Sequence, residues 1–215
     1  MNFLELVQLL HSEAGASGGA PATVIDQTGE ALRLANWIIS ADSLVQGLWH
    51  NWKFLRAEYS ADTVAGTRTA VAPTSPALVK WDEETFFLDD GTDKMQLEVV
   101  EYESVKSDIF DLTVGGRDMP AMVVIMPDNS LRFDPVPDAV YTITADYFKS
   151  PTILAADDDD SDIPEEFHRN VILGRALMFY GNFENAAEAK EQGVELYSHL
   201  GRLESLQLPK DFASP

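Results

Sequence analysis

The sequence contains no cysteine, and this absence excludes several kinds of site at once. A chain without thiols forms neither disulfides nor thiolate metal centres. The absence fits synthesis inside a cell, where disulfides are rare. We therefore expect the stability of the protein to come from packing or from assembly with other chains.

Long apolar runs are also missing. No stretch approaches the roughly 18 consecutive apolar residues of a membrane-spanning helix. Glu5 interrupts the apolar start of the chain, and no basic region precedes it as in a signal peptide. We expect neither membrane insertion nor secretion.

Basic residues are scarce, with 15 Lys and Arg against 36 Asp and Glu and a net charge of −21. Binding to nucleic-acid phosphates depends on clustered basic side chains, so this balance disfavours ordinary DNA binding. Two DNA-related roles remain compatible with it. One is a channel wall that does not hold passing DNA, and the other is a decoy that imitates the charge of DNA.

The motifs of common enzymes are absent as well. The sequence has no phosphate loop, no Gly-x-Ser-x-Gly elbow and no cysteine nucleophile. Asp82 and Glu84 share one face of a predicted strand, but charged residues lie on such a face mainly because it contacts solvent. We expect no catalytic residues, no cofactor and no enzymatic activity. An unrecognised hydrolase is the remaining enzymatic alternative.

The sequence gives no clear metal site. Its four histidines lie on separate predicted helical segments and lack the i, i+4 pairing of a zinc helix; they are His11, His50, His168 and His199. The acidic run Asp157–Asp162 lacks the glycine and the glutamate that shape a calcium-binding loop. We interpret this run as a solvated linker, with adventitious cation binding as the alternative, and predict no metal site.

Helical patterns occupy both ends of the chain. Asn2 and Glu5 form a variant of the capping box, which predicts a short helix over residues 2–13. Apolar residues at spacings of three and four predict a long helix from Thr28 to Leu55. The stretch from Asp162 to Leu208 predicts a helical hairpin that turns at Gly181 and Asn182.

The middle of the chain has the composition and alternation of strands. A polar turn between two apolar runs predicts a hairpin of residues 121–126 and 130–133. Residues 109–114 fit either a strand or a short helix. The other predicted strands are 77–88, 95–102 and 139–148.

The order of these elements predicts an α+β fold. We expect a four-helix bundle, formed by residues 1–59 and 151–207, with a β-rich insertion over residues 60–150 between helices two and three. An extended C-terminal tail follows the bundle.

Five large apolar residues on the predicted helices are expected to pack in the core or between subunits: Trp49, Trp52, Phe167, Leu200 and Leu203. The pair Trp49 and Trp52 also fits a ligand pocket, but its helical spacing favours packing.

Several strings of residues carry a resemblance to a known family. They are Met1–Val7 (MNFLELV), Asp128–Phe133 (DNSLRF), Ile163–His168 (IPEEFH) and Ala176–Gly181 (ALMFYG). Together with the Gly- and Pro-rich loop before a long Trp-bearing helix, these strings resemble the head-to-tail adaptor (connector) proteins of tailed bacteriophages. The resemblance covers nearly the full chain.

The resemblance implies a structural protein of the virion, made in the cytoplasm of a bacterial host. Such proteins form a ring, commonly of twelve copies, beneath the portal, and the ring also contacts a tail or nozzle protein. Genome DNA passes through the ring without specific binding. The large β insertion departs from the helix-rich members, which leaves open whether it faces the tail or a neighbouring subunit. An acidic DNA mimic that binds a DNA-handling host protein is the alternative.

The chain end, residues 208–215, is expected to act as a docking arm. Pro209 ends the last helix, and the segment is too short to fold alone. The resembling family uses this end to grip the portal, which implies portal binding by Leu208, Pro209 and Phe212. A frayed terminus is the structural alternative.

Overall fold

The chain divides into a helical unit and a β-rich unit in the computed structural model, which describes residues 1–109 and 116–209. The helical unit combines Met1–Leu55 with the described chain from Pro151 onward, and the β-rich unit is formed by the described part of Arg56–Ser150. Residues 110–115, and with them most of the segment whose structure the sequence left undecided, lie outside the described residues. So do residues 210–215 of the docking arm.

The α-helices are α1 (Phe3–Glu13), α2 (Gly29–Gln46), α3 (Tyr102–Ile109), α4 (Gly174–Phe183), α5 (Ala187–Tyr197) and α6 (Leu200–Gln207). Short 3₁₀ turns occupy Lys53–Leu55, Glu83–Thr85 and Glu165–Phe167, and a π-helix, His168–Leu173, leads into α4. The helical unit has one continuous core, to which α1, α2, the π-helix and the three C-terminal helices all contribute.

The first helix begins as expected. The Asn2 side chain accepts a hydrogen bond from the Glu5 amide at 2.9 Å, and the Glu5 carboxylate accepts one from the Asn2 amide at 3.0 Å. These reciprocal bonds satisfy two amide groups that a helix start otherwise leaves without partners. The capping box predicted from the sequence is therefore confirmed.

The predicted four-helix bundle is wrong. In its described residues the helical unit contains five α-helices, and α3 lies within the β-rich unit, so the β region is not an insertion between helices two and three. The predicted long second helix stops at Gln46, about a third of its length early. The physical cause lies in Trp52, whose buried indole donates to the Gln46 carbonyl at 3.1 Å and so satisfies one of the carbonyls at the helix end.

The C-terminal hairpin is also divided differently from the prediction. Its turn lies at Glu184–Ala186, where Asn185 adopts φ +54°, rather than at Gly181 and Asn182. A second break separates α5 from α6, where the Ser198 hydroxyl donates to the Glu195 carbonyl at 2.6 Å. Such a bond from a serine side chain to a backbone carbonyl three residues earlier competes with helix continuation.

Glycine sets how closely α4 and α5 pack. A Cβ atom on Gly181 would lie 2.6 Å from the Lys190 Cβ, and one on Gly193 would lie 2.7 Å from the Gly174 carbonyl oxygen. Real Cβ atoms do not approach other atoms so closely, so the two helix backbones meet at a distance that only glycine allows. Gly181 therefore allows close contact between the helices, whereas the sequence analysis predicted a turn at this residue.

The β-rich unit contains three sheets. The strands are β1 (Arg56–Asp62), β2 (Thr69–Ala70), β3 (Leu78–Trp81), β4 (Phe87–Asp89), β5 (Lys94–Gln96), β6 (Glu98–Glu101), β7 (Arg117–Asp118), β8 (Met122–Ile125), β9 (Leu131–Asp134), β10 (Val136–Pro137) and β11 (Thr142–Lys149). The first sheet has the order β1-β11-β4-β5, with β3 also paired to β11. The second has the order β2-β9-β8-β6, and the third pairs β10 with β7.

Two of the predicted β features are present. Strands β8 and β9 form the expected hairpin, in which Ile125 lies opposite Leu131 and Asn129 takes φ +63° in the turn. Along β11 the side chains alternate between buried and half-buried, as the sequence pattern indicated. The alternation places Ile143 and Tyr147 in the core.

Trp81 lies at the centre of the β-rich core. Its ring is 5.1 Å from Tyr59, 5.3 Å from Phe86 and 5.9 Å from Tyr147, measured between ring centroids. The indole N–H donates to the Asn129 carbonyl in the β8–β9 turn at 3.0 Å. One side chain therefore links the first sheet to the second.

The glycine contacts give a stability prediction. We expect Gly181→Ala and Gly193→Ala each to lower the free energy of unfolding by about 1–3 kcal/mol, because the added methyl group must displace backbone atoms of the facing helix. The measurement is urea denaturation followed by circular dichroism. Gly201→Ala is the matched control, since Gly201 is an exposed helix residue with no atom near its Cβ position, and alanine should there stabilise by up to about 1 kcal/mol. Equal effects at the three positions would contradict the argument.

Candidate functional site

The C-terminal end of α6 is where the predicted portal-binding residues begin. Leu208 is only 2% exposed and belongs to the core of the helical unit, and its amide donates to the Glu204 carbonyl at 2.9 Å. Pro209 is half-buried, and Phe212 lies outside the described residues. The structure thus uses Leu208 to fasten the end of α6 to its own unit.

An apolar surface surrounds this end of the helix. Leu48, Trp49 and Leu206, which we call the Trp49 surface, are 41%, 37% and 46% exposed. The Trp49 indole donates to the Glu204 carboxylate at 3.1 Å, and the Lys53 ammonium donates to the Leu206 carbonyl at 3.0 Å. These two bonds hold the segment after α2 against α6, and the large apolar side chains remain accessible.

The other predicted packing residues lie inside the helical unit. Trp52, Phe167 and Leu203 are buried, and Leu200 is half-buried against the same core. Trp52 stacks on Phe54 with ring centroids 5.2 Å apart.

The acidic run Asp157–Asp162, interpreted from the sequence as a solvated linker, is exposed at Asp158 and Asp160 but has specific contacts at Asp157 and Asp159. The Asp157 carboxylate accepts bonds from Thr23 and from the Val24 amide, and the Asp159 carboxylate accepts from the amides of Ala155 and Ala156. These last two bonds hold the pKa of Asp159 below its ordinary value. The loop therefore uses its carboxylates to satisfy backbone amides.

The backbone of the same loop supports the start of α1. The Phe3 amide donates to the Asp159 carbonyl at 2.8 Å, and the Leu4 amide donates to the Asp157 carbonyl at 3.1 Å. These amides are in the first helical turn, where no partner exists within the helix. The loop and the capping box together satisfy this end of α1.

Asp42 connects α2 to the acidic loop. Its buried carboxylate accepts one bond from the Ser161 hydroxyl and another from the Gln46 amide group, the latter at 2.7 Å. Burial raises the pKa of Asp42 to about 6, which outweighs the two hydrogen bonds that lower it. Nearby Asp162 raises it further.

The buried side chain of His168 connects segments that are distant in sequence. Its two ring nitrogens lie 3.0 Å from the Met1 carbonyl oxygen and 2.6 Å from the Ile163 carbonyl oxygen. Beside it, Glu165 pairs with the Met1 ammonium group at 2.9 Å, and that group lowers the pKa of Glu165. Both contacts position the chain and offer no reacting group.

Asp82 and Glu84, the paired carboxylates noted in the sequence, have separate contacts in the structure. Asp82 forms an ion pair with Arg56, and Glu84 contributes a backbone carbonyl that accepts from the Gln96 side chain. In the part of the chain that the structure describes, no three His, Cys, Asp or Glu side chains are placed to hold a metal ion.

Most arginines with assigned contacts face carboxylates of the same unit. In the helical unit Arg33, Arg169 and Arg202 pair with Glu184, Glu13 and Glu166. In the β-rich unit Arg56 pairs with Asp82 and Asp146, and Arg68 pairs with Asp134. Cations engaged in this way are poorly placed to bind DNA phosphates, and the acidic excess dominates the surface.

Residues 1–211 match the SU10 adaptor protein family. The chain belongs to this family. The match confirms the resemblance to phage head-to-tail adaptors that the sequence strings carried. No curated protein matches the chain.

For this adaptor, family membership gives a coarse function. It is a structural protein of a bacteriophage, and its family is not a family of enzymes. An adaptor of this kind interacts with portal and tail proteins and is a component of the virion. Within residues 1–109 and 116–209, no helix has both the length and the apolar character to cross a membrane.

Sequence reasoning missed the roles of Asp42, Asp157 and Asp159. Asp159 had a local signal, since aspartate commonly accepts bonds from backbone amides a few residues away. Asp157 had none, because its partners Thr23 and Val24 lie 134 and 133 positions away. The bond from Ser161 to Asp42 had no local signal, because the two residues lie 119 positions apart.

The raised pKa of Asp42 predicts a pH dependence. The folded state holds this proton more tightly than the unfolded chain, so the contribution of Asp42 to stability is fully present below its ordinary pKa of 3.8 and is lost as pH rises through about 6. Asp42→Asn removes the titration. We expect the unfolding free energy of this variant, minus that of the wild type, to increase between pH 4 and 7 by at most about 3 kcal/mol.

Guanidinium denaturation at several pH values measures this difference. Asp158→Asn is the matched control, because Asp158 is an exposed carboxylate of the same loop. A difference for Asp42→Asn that stays constant from pH 4 to 7 would show that Asp42 does not carry the effect.

Proposed function

We propose that this adaptor forms a ring, of twelve copies, that joins the portal vertex of the capsid to the tail and continues the DNA channel. The observation that carries the proposal is the family match over residues 1–211. The acidic surface supports it, since a wall that repels phosphate lets DNA pass without holding it.

Charge also affects how the ring assembles. Each copy has a net charge of −21, so neighbouring copies repel each other at low ionic strength. We infer that assembly requires the portal as a template, and that added salt favours it by screening the repulsion.

The Trp49 surface is the proposed contact between neighbouring copies. Exposed clusters of large apolar side chains commonly mark interaction sites, and tryptophan often contributes strongly to them. Trp49 is held by its bond to Glu204, so it costs little entropy to bury. This contact uses the helical unit as the body of the ring.

In this proposal, the part of the docking arm that follows Leu208 binds the portal. Leu208 fixes the base of the arm in the core of the helical unit. The residues after Pro209 then supply Phe212 to a groove of the portal, where a buried phenylalanine contributes roughly 1.5–3 kcal/mol.

Electron microscopy of the adaptor mixed with its portal protein tests the ring. We expect ring-shaped density attached to the portal, more complete at 500 mM than at about 20 mM salt, because the repulsion between copies is screened. Trp49→Ala should reduce ring occupancy on the portal and leave the unfolding transition within about 1 kcal/mol of the wild type. A strict monomer by light scattering, with portal present at both salt concentrations, would refute the ring.

Deleting residues 210–215 tests the arm. We expect an unchanged melting temperature and loss of attachment to the portal, measured by co-sedimentation. Leu208→Ala is the contrasting variant, because it keeps the arm but removes a core contact, and it should lower the unfolding free energy by about 2–5 kcal/mol. If the truncated adaptor binds the portal at wild-type occupancy, the portal-binding site lies on the helical unit.

A further inference from the structure

Strand β1 leaves one long edge of the first sheet open. It pairs with β11 over all seven of its residues without a bulge, and within the described residues no strand pairs with its other side. The other strands that end a sheet have only two to four residues. Proteins usually shorten, bend or cover such an edge, because its unpaired backbone groups can bind another chain.

The hydrogen bonds fix which residues of β1 point outward. The Thr63 amide, one residue past the strand, donates to the Tyr141 carbonyl, so the odd-numbered residues of β1 bond to β11. On the far side of β11, the Asp82 amide donates to the Asp146 carbonyl, which agrees with this alternation. The backbone groups of Glu58, Ser60 and Asp62 therefore point away from the sheet.

The side chains along this edge differ between the two faces of the sheet. On the core face Tyr59 is buried, while Ala57 and Ala61 are half-buried and too small to cover the core edge themselves. On the outer face Glu58 and Asp62 are exposed. Among the described residues no ion pair joins either of them to a basic side chain.

Two basic side chains lie near these carboxylates, Lys94 and Arg56, and both have other contacts. Lys94 lines the same cleft as Glu58, and its ammonium group lies over the Phe87 ring, 5.0 Å from the centroid. Arg56 binds both Asp82 and Asp146. Asp146 lies directly opposite Glu58 in the register of β1 and β11, and Asp62 accepts a bond from the Thr142 hydroxyl. The outer face of the edge is therefore acidic at two positions four residues apart.

We propose that β1 accepts an extended segment of a partner protein as an additional strand of the first sheet. The segment has Lys or Arg at two positions four residues apart, opposite Glu58 and Asp62, and apolar residues between them that cover Ala61 and Tyr59. Backbone bonds supply the affinity and the paired charges set the register. A second copy fits the site less well, since it brings a net charge of −21 and another acidic edge.

This inference rests on the proposed function, because it places the partner segment in the assembled head-to-tail junction. Residue-resolved hydrogen exchange tests it, on the free adaptor and on junctions isolated from virions. In the free adaptor the amides of Glu58, Ser60 and Asp62 should exchange fast while those of Tyr59 and Ala61 are protected. In the junctions the three outward amides should slow by about 100-fold or more.

Fast exchange of the outward amides in junctions that contain the adaptor would overturn the inference and leave the ring proposal standing. Junctions without the adaptor would overturn both. Exchange that slows in the purified adaptor as its concentration rises would identify a second copy as the occupant, and so would also overturn the proposal.

Two variants test the same edge through incorporation into junctions. Ser60→Pro removes one outward amide and keeps the ladder to β11, because proline is tolerated where a strand edge faces solvent. Glu58→Lys places like charge against the basic segment. We expect each to reduce incorporation about tenfold in virus carrying the variant, with an unfolding transition close to the wild type. Glu98→Lys makes the same charge change at an exposed position of β6 and should incorporate normally. Normal incorporation of folded Glu58→Lys would overturn the proposed chemistry of the partner.

Discussion

Carboxylates outnumber cations by 21 in this chain, so most of them cannot be neutralised by ion pairs. The structure satisfies many with backbone amides and hydroxyl groups instead. Asp90 accepts bonds from turn amides as Asp159 does, and these bonds hold the pKa of each aspartate below its ordinary value. The pKa of Asp128 is lowered by the Ser130 hydroxyl and, to a smaller extent, by the Ser130 amide. An acidic surface thus also fixes loops. Asp42 is an exception, because its carboxylate is buried and burial raises its pKa to about 6.

The two units are stabilised by different packing contacts. The helical unit depends on glycine contacts that bring α4 and α5 together, and on Leu208 and Trp52, which fasten chain segments that leave helices. The β-rich unit depends on Trp81, whose ring contacts and single hydrogen bond join two sheets. Arg56 lies opposite Phe148 in the register of β1 and β11, so the chain enters and leaves this unit at neighbouring points.

For an adaptor, the accessible surfaces matter more than any enclosed site. The Trp49 surface is apolar and lies beside the point where the docking arm begins. The edge of β1 is acidic and presents unpaired backbone groups in a regular row. Such surfaces differ in chemistry, so they suit different neighbours: apolar contact between like copies at one, and a basic extended segment at the other.

The sequence by itself determined the features that depend on neighbours along the chain. These include the capping box at Asn2 and Glu5, the β8–β9 hairpin and the alternation of β11, because each depends on residues only a few positions apart. The family also followed from short strings of residues. The tertiary structure decided where helices end. Periodicity continued past Gln46, yet the Trp52 indole binds the carbonyl there, and Gly181 marks a close contact rather than a turn. The contacts of Asp157 with Thr23 and of Asp42 with Ser161 likewise join residues more than a hundred positions apart, which no local pattern encodes.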